Sequence, residues 1–111
     1  MTMRGNWKMT YNKYHAKPKV VDGIRFASTG EADYYIYLKG LLNLGKISNL
    51  KLQTKFSIDL NGVHICNYLA DFEYDDENGH HVVDYKGCVT PVFRLKRKLV
   101  KALYGVDIEL V

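Results

Sequence analysis

Two carboxylates and an ammonium group stand close together in YLADFEYDDENGHHVVDYKG, residues 68–87. Asp71 lies inside an aromatic-rich run, Tyr68 to Tyr74, and Asp84 and Lys86 lie two apart in a valine-rich run, Val82 to Lys86. Both runs read as strands. Between them Asp75, Asp76, Glu77, Asn78 and Gly79 form a polar turn cluster, in which Asn78-Gly79 is the strongest hairpin signal. Side chains alternate across a strand, so Asp84 and Lys86 project from one face, and a hairpin about this turn lets Asp71 lie beside them. Like charges in cross-strand contact repel. A hard divalent cation such as Mg²⁺ would relieve that repulsion, since it takes carboxylate oxygens and leaves room for water and phosphate oxygens. The plainer alternative is a solvated sheet face with Asp84 and Lys86 as a surface pair, because Asp-x-Lys is short and common.

The elements that must position these residues can be read on either side. Val20-Val21, Asp22-Gly23 and Ile24-Arg25-Phe26 read as a small hairpin. Ser28 is a good N-cap, and Glu31 three residues later completes a capping box for a helix running to Leu44 with Gly45 as its stop. Glu31, Tyr35, Leu38 and Leu42 share one stripe of that helix. Glu31 therefore has two candidate roles, a capping partner or a third carboxylate above the sheet. Residues 47–60 read as a strand, with Phe56, Ile58 and Leu60 alternating, and Asn61-Gly62 turns the chain toward the central segment. Glu73, one strand repeat beyond Asp71, is an extra ligand candidate for which solvent exposure is the favoured expectation. Thr90-Pro91 opens a second helix that runs to about Tyr104 and stops at Gly105. Val92, Leu95, Leu99 and Leu103 lie on one side of it, and Arg94, Arg97, Lys98 and Lys101 form a basic stripe on another. A charge run is usually a solvated face, but this one holds no acidic residue and suits a phosphate backbone. Residues 106–111 read as a closing strand.

Composition fits one ordinary globular domain: 111 residues, 47% hydrophobic and 25% charged. A net charge of +4 is compatible with a nucleic-acid partner without requiring one. No apolar run approaches the roughly 20 residues of a membrane helix, and the first residues lack the apolar centre of a signal peptide. Cys66 and Cys88 lack metal-ligand spacing, and reduced thiols in a cytoplasmic protein are expected. Residues 1–18 read as a basic arm and residues 19–111 as the folded domain. In and just beyond the arm Arg4, Lys8, Lys13, Lys17 and Lys19 interleave with Trp7, Tyr11 and Tyr14, a composition able to hold phosphates and stack on bases, or simply to solubilise.

The order helix, three strands, helix, strand implies an α/β fold, a mixed central sheet flanked by helices. In this order the chain resembles the PD-(D/E)xK nuclease superfamily, and within it is similar to a small phage family catalogued as of unknown function. The residues that carry the resemblance are KYHAKP, VDGIRFAST, Glu31-Ala32 opening the first helix, Tyr68-Leu69-Ala70-Asp71-Phe72, Val82-Val83-Asp84-Tyr85-Lys86-Gly87 and the basic helix that follows. They span roughly residues 13–111. The resemblance implies a restriction-endonuclease-like core and a metal-dependent endodeoxyribonuclease, a hydrolase acting with Mg²⁺ or Mn²⁺. Asp71 and Asp84 would bind the metal, Glu31 would complete the acidic set, and Lys86 would orient the attacking water and offset charge on the phosphate. Lys13, Lys17, Arg94, Arg97, Lys98 and Lys101 would contact DNA. It reaches toward junction-resolving enzymes such as those that cut Holliday junctions, and so toward a homodimer in the cytoplasm of a bacterial host. Ala70 stands where the superfamily motif has proline, and Asp84 where glutamate is more frequent. The alternative is a DNA-binding or assembly protein on the same fold without catalysis.

Overall fold

The computed structural model describes residues 17–86 and 88–111. Arg4, Trp7, Lys8, Tyr11, Lys13 and Tyr14 of the arm lie outside the described residues, as does Gly87. The chain forms β1 (Lys19–Val21), β2 (Ile24–Phe26), α1 (Thr29–Asn43), β3 (Ser48–Leu60), β4 (Val63–Asp76), β5 (Gly79–Asp84), α2 (Pro91–Tyr104) and β6 (Ile108–Leu110). It divides into two compact units, one ending at Tyr37 and one spanning Leu38–Val111. No helix among the described residues is long and apolar enough to cross a membrane.

In the first unit β1 and β2 pair antiparallel around Asp22-Gly23. Both turn residues take left-handed φ, 53° and 75°, as a two-residue hairpin turn that matches strand twist requires. Ser28 Oγ accepts the Glu31 N–H at 3.1 Å and caps α1, as the sequence anticipates. The hairpin is pinned to the first half of α1 by the Tyr35 hydroxyl, which donates to Asp22 at 2.9 Å, and by the Phe26 and Tyr35 rings, 5.0 Å apart.

The second unit begins with the last turns of α1. Gly45 at φ 74° ends that helix in a left-handed cap, with Lys46 N–H bonded to Leu41 C=O at 2.9 Å. A four-stranded mixed sheet follows in the order β3-β4-β5-β6, with only β5 and β6 parallel. A parallel pair needs a crossover, and α2 supplies it. Thr90 caps α2 by accepting the Phe93 N–H at 3.1 Å, Pro91 fills the first turn, and Gly105 closes the other end at φ 70°. The core joins Phe93 and Val100 of α2 to Ile58, Tyr68, Ala70, Val82 and Ile108 of the sheet. Burying side chains of this size stabilises the fold by about 1.5–3 kcal/mol each.

The mixed α/β architecture and the element order agree with the sequence reading, and three details do not. The turn between β4 and β5 is Glu77-Asn78 rather than Asn78-Gly79: Asp76 pairs with Gly79, and the Asp76 carboxylate accepts the Asn78 N–H at 2.8 Å. That side-chain bond closes the turn one residue early and leaves Asp75 and Asp76 as strand residues. β5 stops at Asp84, so Lys86 lies beyond the strand. On α2 the buried stripe is Phe93 and Val100, seven residues apart, with Leu99 half-buried, whereas Val92, Leu95 and Leu103 are exposed. Two apolar stripes are written on this helix, and the aromatic one, beside Tyr68, faces the sheet.

Removing the α2 cap tests this account. Thr90→Ala should cost about 1 kcal/mol, a drop of several degrees in Tm for a domain of this size. Thr90→Ser should recover most of it, and thermal unfolding followed by circular dichroism measures both.

Candidate functional site

β4 and β5 pair down to the Phe72–Val83 rung and then part. Side chains take over where the ladder stops. Asp71 N–H donates to Asp84 Oδ1 at 2.7 Å, and Tyr85 N–H donates to Asp71 Oδ2 at 3.0 Å. Each carboxylate thus accepts a backbone N–H from the chain segment that carries the other. Hydrogen bonds from backbone N–H groups to an ionised carboxylate are strong and directional, and they fix both side chains at the mouth of the opening.

Asp71 reaches this position through a break in strand alternation. Thr54 is the ladder partner of Ala70, yet its hydroxyl bonds Glu73 at 2.7 Å. Ala70 also packs in one cluster with Val82, the ladder partner of Glu73. Ala70 and Glu73, three residues apart, therefore share a face that strict alternation would deny them. The slip falls at Asp71 and, on the neighbouring strand, at Gln53, whose φ of 53° is left-handed. Gln53 Nε2 lies 3.4 Å from Asp71 Oδ1.

Asp84 follows two buried valines and is itself wholly buried. Among the described residues its Oδ2 has no hydrogen-bond partner, and Lys86 Nζ stands 3.8 Å away. The Lys86 ammonium also sits 4.7 Å from the centre of the Phe93 ring, a cation–π contact that ties it to the first turn of α2. The backbone of this segment is held by the end of β6, with Val111 N–H donating to Asp84 C=O at 3.0 Å and Lys86 N–H to Val111 C=O at 3.4 Å. Burial raises both carboxyl pKa values above the ordinary 3.8; the Tyr85 N–H and Lys86 oppose the rise at Asp71, and the Asp71 N–H and Lys86 oppose it at Asp84.

A second set of titratable groups lines the β4–β5 hairpin. His80 lies between Glu73 (2.6 Å) and Asp75 (2.5 Å), and His81 between Asp76 (2.9 Å) and Glu109 (2.5 Å). Glu73, expected to be exposed, is instead largely covered because Thr54 and His80 hold it.

The structure brings Asp71, Asp84 and Lys86 together. It gives them no third acid: among the described residues no three His, Cys, Asp or Glu side chains are grouped to hold a metal ion. Glu31 belongs to the first unit, where its N–H serves the α1 cap. Of the expected DNA-contacting residues, Lys17 is exposed ahead of β1, and Arg94 and Lys98 are exposed with no protein partner among the described residues. Arg97 and Lys101 are committed within the protein, Arg97 to Ile108 C=O at 2.7 Å and Lys101 to Asp107 at 2.9 Å. The sequence reading found no acidic partner within the stripe, and Asp107, just past the helix, supplies one. Arg97, Lys98 and Lys101 nonetheless line a groove of about 350 Å³ between α2 and β6. Sequence reasoning missed Gln53, Phe93, Val111 and the two histidines; only the adjacent histidines among acidic residues left a visible trace.

The chain belongs to a family described as "Protein of unknown function (DUF1064)", whose model matches residues 11–110. No curated protein matches it, and no solved structure does.

The half-buried Asp71 and the buried Asp84 make stability depend on pH in a definite direction. A carboxyl whose pKa is raised by folding contributes stability that is full below its ordinary value of 3.8 and is lost as pH climbs through the raised value. Asp84→Asn keeps the shape, can still accept the Asp71 N–H, and removes the buried charge. In EDTA at neutral pH it should melt a few degrees above the parent, a gain on the order of 1 kcal/mol. That advantage should shrink as pH is lowered toward the ordinary carboxylate range, which differential scanning calorimetry across pH checks.

Proposed function

We propose that the chain is a metal-dependent endonuclease that hydrolyses DNA phosphodiester bonds, on a core of the PD-(D/E)xK type. The observation that carries this reading is the exchange between Asp71 and Asp84, which leaves Asp84 Oδ2 buried, unbonded and within 3.8 Å of Lys86. A protein built only for stability has no use for that atom, because an unsatisfied buried carboxylate oxygen costs free energy.

The donor set fits Mg²⁺ or Mn²⁺: it offers hard carboxylate oxygens, and such ions are held by one or two carboxylates together with water and substrate phosphate. Asp71 and Asp84 would hold the ion. When bound, it would supply a lowered pKa for attacking water and charge neutralisation at the phosphate. The chain's own residues do the rest. Backbone N–H groups orient the two carboxylates, and Lys86, steadied by Phe93, places a positive charge beside the reacting phosphate and positions water. Arg94 and Lys98 provide sequence-independent contacts to the DNA backbone, and Lys13 and Lys17 are further candidates for such contacts.

One site cuts one strand, so a symmetric cut in duplex or branched DNA would take two sites related by a two-fold axis, as in a homodimer. Branched or junction DNA is therefore the proposed substrate. The second reading, a DNA-binding protein without catalysis, draws on the absence, among the described residues, of a third acid beside Asp71 and Asp84, and the same experiments separate the two.

Purified protein incubated with linear, nicked and four-way-junction DNA should cut in Mg²⁺ and not in EDTA, with the junction cleaved fastest. Asp84→Asn should abolish cleavage, and Lys86→Ala should cripple turnover while magnesium binding persists in calorimetry. Cleavage by Asp84→Asn at the parent rate would sink the assignment; DNA binding without cleavage in any metal would favour the second reading. A separate prediction concerns affinity. Arg94→Ala with Lys98→Ala should weaken binding to all sequences alike and flatten the plot of log affinity against log salt by about 1.8 units for two lost phosphate contacts. An unchanged slope would make the stripe a solvated face only.

A further inference from the structure

His81 presents an imidazole with both nitrogens engaged by carboxylates on different strands. Its Nε2 lies 2.9 Å from Asp76 of β4, and its Nδ1 lies 2.5 Å from Glu109 of β6. A neutral imidazole has one N–H and one lone pair, so it can donate to only one of them. The other contact would set a lone pair against an anionic oxygen at hydrogen-bond distance. Protonating a carboxylate instead is the poorer solution, because the Glu109 side chain is 46% exposed. Both contacts together call for an imidazolium.

The position of this ring gives that charge a mechanical meaning. β5 lies between β4 and β6, so the ring ties its two neighbours to each other across its own strand. β6 has only three strand residues, Ile108–Leu110, and Glu109 is the middle one. Beyond it, Val111 makes the two backbone hydrogen bonds that hold Asp84 and Lys86.

The geometry points to His81 as a protonation-dependent clasp: as imidazolium it secures β6 against the sheet and so steadies the Asp84–Lys86 segment, and as a neutral ring it gives up one of its two ties. The groups that face it are Asp76 and the stacked Tyr74 ring from β4, 5.1 Å away, and Glu109 from β6. His80, next on β5, has its own pair, Asp75 and Glu73, both on β4, and so bridges no second strand. Hydrogen bonds to Glu109 and then to Asp76 raise the His81 pKa above the ordinary 6.5, against a smaller opposing effect of burial. Stability from the clasp is accordingly full below 6.5 and is lost as pH rises through the raised value. That the clasp regulates catalysis rests on the nuclease reading; that it holds β6 does not.

The test reads the ring and the strand directly. Nitrogen-15 spectra of the histidine side chains should show His81 protonated on both nitrogens at neutral pH. Glu109→Gln should lower its titration midpoint by at least one pH unit, a tenfold loss of proton affinity. Amide exchange at Val111 and Lys86 in the parent should accelerate across the His81 titration by more than base catalysis alone produces. That excess should vanish in Glu109→Gln and in His81→Gln and persist in His80→Gln. A His81 ring that is singly protonated at neutral pH, or exchange at Val111 and Lys86 indifferent to its titration, would overturn the clasp. Success of both readouts in a protein that cleaves no DNA in any metal would uphold the clasp and reject the nuclease reading.

Discussion

The exchange of backbone hydrogen bonds between Asp71 and Asp84 is the constraint on which the rest of the second unit depends. A β ladder normally satisfies the N–H groups of neighbouring strands with carbonyls. Here two of those donors are given to side chains, and the strands separate without leaving them orphaned. The cost is a carboxylate at zero exposure with one oxygen unsatisfied. Such an arrangement persists only when the surrounding packing leaves it no alternative. Val82, Val83 and Phe72 supply that packing, since all three are buried around the last regular rung.

α2 serves this arrangement from two sides. Its N-cap sets the first turn, the first turn presents Phe93, and Phe93 meets both the Tyr68 ring in the core and the Lys86 ammonium at the site. Its length then spans the crossover that delivers β6 in parallel beside β5. Most residues that pack the helix on the sheet and most that make it basic are different. Arg97 belongs to both sets: its guanidinium holds the β6 backbone at Ile108 while lining the basic groove.

Much of this was legible in the residue pattern, for local reasons. Asp22-Gly23, Asn61-Gly62, Ser28 and Thr90-Pro91-Gly105 act within a turn or two of themselves, where residue type dictates backbone shape, and each stands where the pattern put it. Asp71, Asp84 and Lys86 were identifiable because charges inside apolar strands are conspicuous. What escaped was non-local. The face slip at Asp71 depends on a left-handed Gln53 on the neighbouring strand, and no rule of propensity picks glutamine for that role. Helical spacing groups Val92, Leu95 and Leu103 on one side of α2 as well as it groups Phe93 and Val100, and only tertiary packing decides that the second pair is buried. The internal partners of Arg97 and Lys101 come from the strand and loop after the helix, outside any helical window.

The parallel closure by β6 also sets an order of events. The β3–β4 and β4–β5 pairings join segments that adjoin in sequence through tight turns, and such contacts close cheaply. The β5–β6 pairing must wait until all of α2 has been traversed and docked, because the intervening chain has to be ordered before the strand can register. A chain folded only as far as β5 can already bring Asp71 and Asp84 to the same rung. It lacks both the Phe93 seat for the ammonium and the Val111 bonds that set the spacing between Asp84 and Lys86. Completion of the constellation thus depends on the one pairing that spans a crossover, and its integrity reports on β6 and α2 as well as on the β4–β5 hairpin.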